Sequence, residues 1–329
     1  MTAGPVIADH MRAVILDRYG PPERVLRPAR GPVPVPRRGQ VLVRVRAASV
    51  NSWDVDLVTG PPIIRVAAPF RPRRRIIGAD VSGEVVAVGE EVMRFSIGDR
   101  VAGDLSASGW GGFAEYVAVD ERALTGVPDA VAHSVACALP QAGGMAVQAL
   151  GERDELAGRR VLIVGAGGGV GTFAVQLAHA AGAHVTVVDR QPKLAALRRL
   201  GADEAIEAGR LGEVSHPSFD RVVDVIGALS VASARRLMAA GGTSITVGGR
   251  PGLLLRILVG GLLGADRRGR RVGLLIARPN RDLPELLGLV ASGALTVVAD
   301  GPHALSEVPH QVERLRAGDV TGKLIVVPA

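Results

Sequence analysis

The chain has 329 residues, of which 47% are hydrophobic and only 3% aromatic, with 43 glycines and a net charge of +7. That length exceeds one ordinary compact core, and the composition suits an α/β protein rich in Val, Leu and Ala rather than a disordered or disulfide-rich one. The single cysteine, Cys137, excludes an internal disulfide, a thiolate zinc cage and a two-cysteine redox pair.

Along the chain, Met1 to His10 shows neither strand nor helix periodicity and is expected to be an N-terminal extension (1–10) outside the core. From Arg12 to about residue 125, short β-branched runs alternate with Gly and Pro: Val41–Val45, Gly83–Gly89 and Asp99–Gly103. Such punctuation predicts a compact, mostly β domain. After residue 125, apolar strands (Arg160–Val164, His184–Val188, Ala205–Ile206, Arg221–Val225, Ser244–Val247) alternate with Ala-rich helical segments such as Gly171–Ala181 and Lys193–Leu200. That alternation predicts βαβ units and a doubly wound parallel sheet. The closing run Val320–Val327 alternates again without a following helix, which returns it to the first domain. The expected division is therefore 11–125 with 300–329 as one domain and 126–299 inserted within it.

Basic clusters at Arg71–Arg75 and Arg267–Arg271 are not interleaved with aromatics and read as solvated loops, so no nucleic-acid partner is expected. The longest apolar stretch, Gly252–Ala265, is broken by Arg256 and too short for a bilayer, and no charged n-region precedes a cleavage site. A soluble, cytoplasmic protein with no membrane partner is expected.

The most specific segment is Val161–Thr172, a buried strand running through Gly165-Ala166-Gly167-Gly168-Gly169-Val170-Gly171 into a helix. Glycines allow a sharp turn and close approach to a pyrophosphate, which the free N–H groups and positive end of the helix stabilise. In register the motif is Ala166-x-Gly168-x-x-Gly171, with Ala where the usual fingerprint has Gly. Asp189 stands eighteen residues after Gly171, at the end of the second strand, where a carboxylate accepts from both adenosine ribose hydroxyls. This favours NADH over NADPH, although Arg190 beside it is able to pair with a 2′-phosphate. Ala166, Gly168, Gly169, Val170, Gly171, Asp189 and Arg190 are the cofactor-binding candidates, the plainer reading being an unliganded glycine-rich turn.

Together with Gly39–Val45, Ala48–Asp54, Ile77–Gly83, Val92–Arg100, Gly111–Tyr116 and Gly322-Lys323, these residues resemble the zinc-independent quinone oxidoreductase and enoyl reductase branch of the medium-chain dehydrogenase/reductase superfamily, from Met11 to Pro328. The resemblance implies an α/β protein with a GroES-like β-rich catalytic domain, an inserted Rossmann domain and an active cleft where they meet. It also implies a homodimer paired through Rossmann sheet edges. Zinc-dependent relatives carry metal ligands where this chain has Asn51, Ala79 and Gln141 or Ala142, so no metal site is expected. Without a Lewis acid, hydride addition to a quinone or an activated enone or enoyl C=C is chemically preferred to alcohol oxidation.

The resemblance places the Asn51 amide near nicotinamide and substrate, against the plainer reading of a turn-forming Asn. It makes Gly248, after the strand Ser244–Val247, a close-approach residue for the nicotinamide, and it adds Lys323 to the cofactor-binding set. The aromatic proton donor usual after Gly60 is missing, since Pro61 and Pro62 stand there, and Val58 replaces a common basic residue. Ser52 and Asp54 are the catalytic candidates left in that loop beside Asn51. Water or the substrate's own hydroxyl ranks ahead of them, and Asp54 reads first as ordering the turn or capping a helix. Trp53 and Trp110 are placed either against a flat substrate or in packing. The leading expectation is an NAD(P)H-dependent reductase of a small quinone-like or enone-like substrate. A cofactor-binding protein with a non-redox role, as cyclase, lyase or regulator, is the alternative, and a crystallin-like nucleic-acid binder the least favoured.

Overall fold

Short β-branched runs in the first third of the chain form strands that are buried along much of their length. The computed structural model describes residues 7–214, 218–262 and 264–328. A hairpin of β1 (His10–Leu16) and β2 (Leu26–Pro32) is followed by β3 (Gln40–Val50), β4 (Asp80–Val88), β5 (Arg100–Asp104), β6 (Tyr116–Asp120) and the short β7 (Thr125–Gly126). β3 organises the sheet. One edge pairs antiparallel with β4 along most of its length, and β6 pairs with its first half. Val41, Val43, Val45 and Val50 of β3 then enter a core with Val81, Val101, Phe113 and Val117. Residues 7–10, expected outside the core, belong to the hairpin instead: Val33 N–H donates to Asp9 O (3.0 Å), and Ile7 packs against the cluster around Met11 and Ala13. Residues 1–6 of the expected extension lie outside the described residues.

The second unit runs Met145–Ala277. It holds β8 (Arg160–Val164), β9 (His184–Asp189), β10 (Glu204–Glu207), β11 (Phe219–Asp224), β12 (Met238–Thr246) and β13 (Arg271–Leu274), all parallel, in the order β10-β9-β8-β11-β12-β13. Val161 to Val164 of β8 are buried in a row, because helices cover both faces of such a sheet. The strand order reverses between β8 and β11, the switch point at which open α/β sheets bind ligands. The apolar Leu253–Leu262 stretch lies in the helix Pro251–Leu262, which buries Ile257 and leaves Leu255, Leu258, Val259 and Leu262 exposed.

The chain then re-enters the first unit, which takes everything up to Gly144 and from Arg278 onward. β14 (Ala299–Ala304) pairs parallel with β15 (Lys323–Val327), and β15 pairs antiparallel with the end of β3, completing the order β14-β15-β3-β4-β5-β7. The units change at 144 and 278, whereas the change of periodicity suggested 125 and 299. Asn280 supplies one reason: its amide accepts from Asp104 N–H (2.6 Å) and donates to Asp104 O (2.9 Å), which ties residue 280 to β5. Leu286, in the helix Leu283–Ala291, supplies another, since a Cβ on Gly143 would meet its Cδ1 at 2.8 Å.

Gly83, paired with Val45 in the β3–β4 ladder, has no room for a side chain: a Cβ there would lie 2.1 Å from Arg44 O. Gly83→Ala forces backbone against backbone and should destabilise the first unit by about 2–3 kcal/mol, the usual cost of overpacking. Thermal unfolding followed by circular dichroism checks this, and an unchanged melting temperature would show that the sheet relaxes around the methyl.

Candidate functional site

In the second unit, the loops after β8, β9, β11 and β12 gather at the carboxyl ends of the parallel strands. Gly165, at φ +78°, turns the chain out of β8, and Gly168 is the N-cap of the helix Gly169–Ala180. The first-turn N–H groups of Gly169, Val170 and Gly171 have no intrahelical acceptor, which is the condition for holding an anion. Gly171 is required for a different reason: a Cβ there would lie 2.4 Å from Ala166 Cα and O, so helix and loop touch at backbone level. At Gly168 the nearest atom to such a Cβ is 4.0 Å away, and Gly168, Gly169 and Val170 are partly exposed. The cradle is thus tight beneath and open above, a shape that fits a dinucleotide pyrophosphate.

Asp189 at the tip of β9 closes the cradle's side. Its Oδ2 accepts from Gly167 N–H (2.7 Å) and its Oδ1 from Arg190 N–H (2.7 Å). A carboxylate offers about four acceptor positions, so room remains for ribose hydroxyls. Arg190 is exposed at the N-cap of the helix Gln191–Arg199. Two residues not singled out in the sequence join the site. Lys193 runs its stem over Gly167, where a Cβ would meet Lys193 Cδ at 2.4 Å. Asp224, at the end of β11, accepts from Ala228 N–H (3.0 Å) and Leu229 N–H (2.8 Å) and so shapes the next loop, while burial raises its carboxyl. Gly227, at φ +66°, lets that loop lie against Gly248, whose O would be 2.6 Å from a Cβ on Gly227.

The other catalytic candidates lie in the first unit around a buried polar network. Asn51 is the N-cap of the helix Ser52–Thr59, and Asp54 completes a capping box by accepting from Asn51 N–H (2.8 Å) and, through its other oxygen, from Gly78 N–H (3.0 Å). Asn51 does not present a free amide: Oδ1 accepts from Lys323 Nζ (2.5 Å) and Nδ2 donates to Asp80 Oδ2 (3.1 Å). Asp80 Oδ2 also accepts from Ser49 Oγ (3.2 Å) and Gln141 N–H (3.4 Å), whereas its Oδ1 has no hydrogen-bonding partner. Lys323, expected among the cofactor contacts, has its ammonium 3.6 Å from Asp80 and its side chain 4% exposed. Ser52 is exposed on the first turn. Trp53 and Trp110 stack on each other, with centroids 6.1 Å apart and planes 14° from parallel, too close to admit a substrate ring between them.

The positions expected to carry zinc ligands in metal-dependent relatives hold an amide (Asn51), a methyl (Ala79) and the Gln141 side chain, which reaches toward Asp104 Oδ2 at 3.5 Å. Cys137 is buried beside Ala47, Ala138 and Ile325, and burial raises its thiol. Among the described residues no three His, Cys, Asp or Glu side chains gather as a metal site.

The parallel sheet with its glycine loop at the switch point has the arrangement of a dinucleotide-binding fold, and comparison with known proteins narrows the class. Residues 37–129 match the alcohol dehydrogenase GroES-like domain and residues 169–292 the zinc-binding dehydrogenase family model. The chain is 32% identical to the chloroplastic quinone-oxidoreductase QR1 of Triphysaria versicolor, over 97% of this chain and 98% of that protein. It is 29% identical to the human mitochondrial NAD(P)H oxidoreductase RTN4IP1, over 96% of this chain and 89% of that one. The solved quinone oxidoreductase from Coxiella burnetii superposes with a TM-score of 0.85 at 29% identity, over 97% of this chain and all (100%) of that one. The chain belongs to the medium-chain dehydrogenase/reductase family, in its quinone oxidoreductase-type branch. Its first unit is GroES-like and its second Rossmann-like.

Burial raises the carboxyls of Asp54 and Asp80 to about 7 each, against the donated N–H bonds and Lys323 that favour ionisation. Between pH 4 and that value the folded unit holds protons that the unfolded chain has released, so this contribution to stability falls as pH rises through the window and levels off above it. Urea midpoints from pH 5 to pH 8 should decline and then flatten, and the decline should weaken in Asp80→Asn. A midpoint that stays flat across that window would mean that both carboxyls are already ionised in the fold.

Proposed function

We propose that this protein is an NAD(P)H-dependent reductase that passes hydride to a quinone or an activated C=C of a small organic molecule, without zinc. The observation that carries the reading is the Asp189 carboxylate hydrogen-bonded to Gly167 N–H at the rim of an open glycine cradle. Ala166, Gly168, Gly169, Val170 and Gly171 hold the pyrophosphate, Asp189 the adenosine ribose, and Gly248 allows close approach of the nicotinamide. When bound, the cofactor supplies the hydride. Asp189 favours NADH because a 2′-phosphate would meet its charge, while Arg190 and Lys193 temper the repulsion.

Zinc independence is supported by the donor set. An amide and a methyl replace ligand positions, and the Lys323 ammonium already stands beside Asn51 and Asp80, where it would repel a divalent ion. The Asn51 amide is held at both ends, and Asp54 is engaged as a cap. Water, the substrate's own hydroxyl or exposed Ser52 is then the source of the proton. A cytoplasmic location belongs to the same reading, as does a homodimer. The described outer edge of β13 is unpaired, and the helix Pro251–Leu262 beside it exposes Leu255, Leu258, Val259 and Leu262.

Titration with NADH and NADPH, followed by a panel of quinones and enones in the same cuvette, tests the function. Binding with turnover, unchanged by EDTA, is expected. Binding without turnover would favour a non-redox role, and no binding would remove the cofactor assignment. Asp189→Ser should shift the NADH-to-NADPH preference by roughly tenfold or more toward NADPH, the value of one charge-assisted hydrogen bond. Sedimentation velocity should report a species of twice the chain mass, and a monomer at micromolar concentration would refute the dimer.

A further inference from the structure

Between Asp56 and Asp80 the chain carries no acidic residue, yet it holds Arg65, Arg71, Arg73, Arg74 and Arg75. In the same segment Ile63 is 62% exposed, Val66 85% and Phe70 90%. Ile63 and Val66 lie one turn apart in the short helix Pro62–Ala67, and Phe70 follows it. Bulky apolar side chains so exposed within eight residues are unusual on a surface that meets only water.

The segment is held from below. Tyr19 Oη donates to Ala68 O (2.9 Å), its ring fills the space where a Cβ on Gly60 would lie 2.4 Å from Cδ1, and the Arg65 guanidinium sits 4.8 Å from the ring centroid. Arg65 Nε also donates to Gly60 O (2.7 Å). Buried Ala68 anchors the middle of the segment. Arg75 pairs with Asp17 at 2.7 Å, whereas Arg71, Arg73 and Arg74 are exposed among the arginines of the loop. Tyr19 therefore ties residues 60, 65 and 68 together, and around this anchor three apolar side chains and three arginines are exposed.

We propose that residues 61–75 form a docking surface for an anionic lipid bilayer, with Ile63, Val66 and Phe70 entering the headgroup boundary and Arg71, Arg73 and Arg74 pairing with lipid phosphates. Charge complementarity selects the partner, since arginine at an anionic surface contributes attraction that a neutral surface does not return. Aliphatic Ile63 and Val66 select a bilayer over nucleic acid, because bases reward stacked aromatics and only Phe70 is one. This contact lies on the surface and requires no membrane-spanning helix. It changes the reading of Arg71–Arg75 from a solvated loop to half of an amphipathic site.

The test needs neither cofactor nor substrate, so it stands apart from the reductase reading. Full-length protein is floated with vesicles of phosphatidylcholine alone and of phosphatidylcholine mixed with phosphatidylglycerol, alongside a heparin column. Expected is flotation only with phosphatidylglycerol, weakened about a hundredfold by Arg71→Ala/Arg73→Ala/Arg74→Ala, at roughly fivefold for each arginine. Val66→Ser/Phe70→Ser should weaken it by at least about tenfold. Both variants should keep the parent melting temperature, because the altered side chains are exposed. Absence of flotation overturns the proposal. So does heparin retention lost with the arginines alongside vesicle binding that ignores the serine pair, which would assign the loop to polyanions such as nucleic acid.

Discussion

The first unit depends on one buried carboxyl group. Asp80, at the start of β4 and wholly inaccessible, is joined through Asn51 and Lys323 to the ends of β3 and β15, and through Gln141 N–H to the helix Pro140–Leu150. Four separate stretches of chain meet at a single carboxylate. Burying such a group is costly, and removing one partner of a buried pair costs about 3–5 kcal/mol, so the arrangement survives only where every neighbour is in place. It also explains why β15 must return to β3 after the whole second unit has intervened: without residue 323, Asn51 and Asp80 would lose their cation. Closing the unit and positioning Asn51 are thus one event.

The second unit solves a different problem with backbone alone. A parallel sheet sends all its loops to one end, and Gly165, Gly168, Gly227 and Gly248 keep those loops thin enough to approach one another and a ligand. Asp189 then contributes twice, because the oxygen that accepts from Gly167 N–H fixes the loop while leaving acceptor capacity for a ribose. The fixed partial charges of the first helical turn are in place before any ligand arrives, so little reorganisation opposes binding.

What was legible in the sequence follows from this contrast. The strand, glycine loop, helix and terminal acid lie within thirty residues of one another, and local periodicity together with glycine chemistry was enough to read them. The buried network was not legible in the same way, since Ser49, Asp80, Gln141 and Lys323 come together only through sheet register. Family resemblance marks Asn51 and Lys323, but nothing in the sequence marks their contact with each other. Asp80 itself offers one mark: an acidic residue that opens a strand whose first four residues are buried must find a partner. Domain edges drawn from periodicity missed Asn280 and Leu286 because a helix and a loop carry no mark of the sheet they pack on.

Lysine usage points the same way. Lys193 and Lys323 are the only lysines, every other cation being arginine, and each occupies one of the two polar sites. A guanidinium is broad and planar, with five donors that all need acceptors. Between Asn51 Oδ1, Val50 O and Asp80, where the side chain is almost wholly enclosed, a compact ammonium fits and a planar fork would leave donors unpaired. At Lys193 the aliphatic stem lies over Gly167, in the space a side chain there would need. Arginine serves where its fork finds carboxylates in the open, as Arg12 does with Glu115 and Arg314 with Asp300. Among the described residues, exposed Arg71, Arg73 and Arg74 pair with no carboxylate, and their forks are left to solvent ions or to an acidic partner of the kind proposed above.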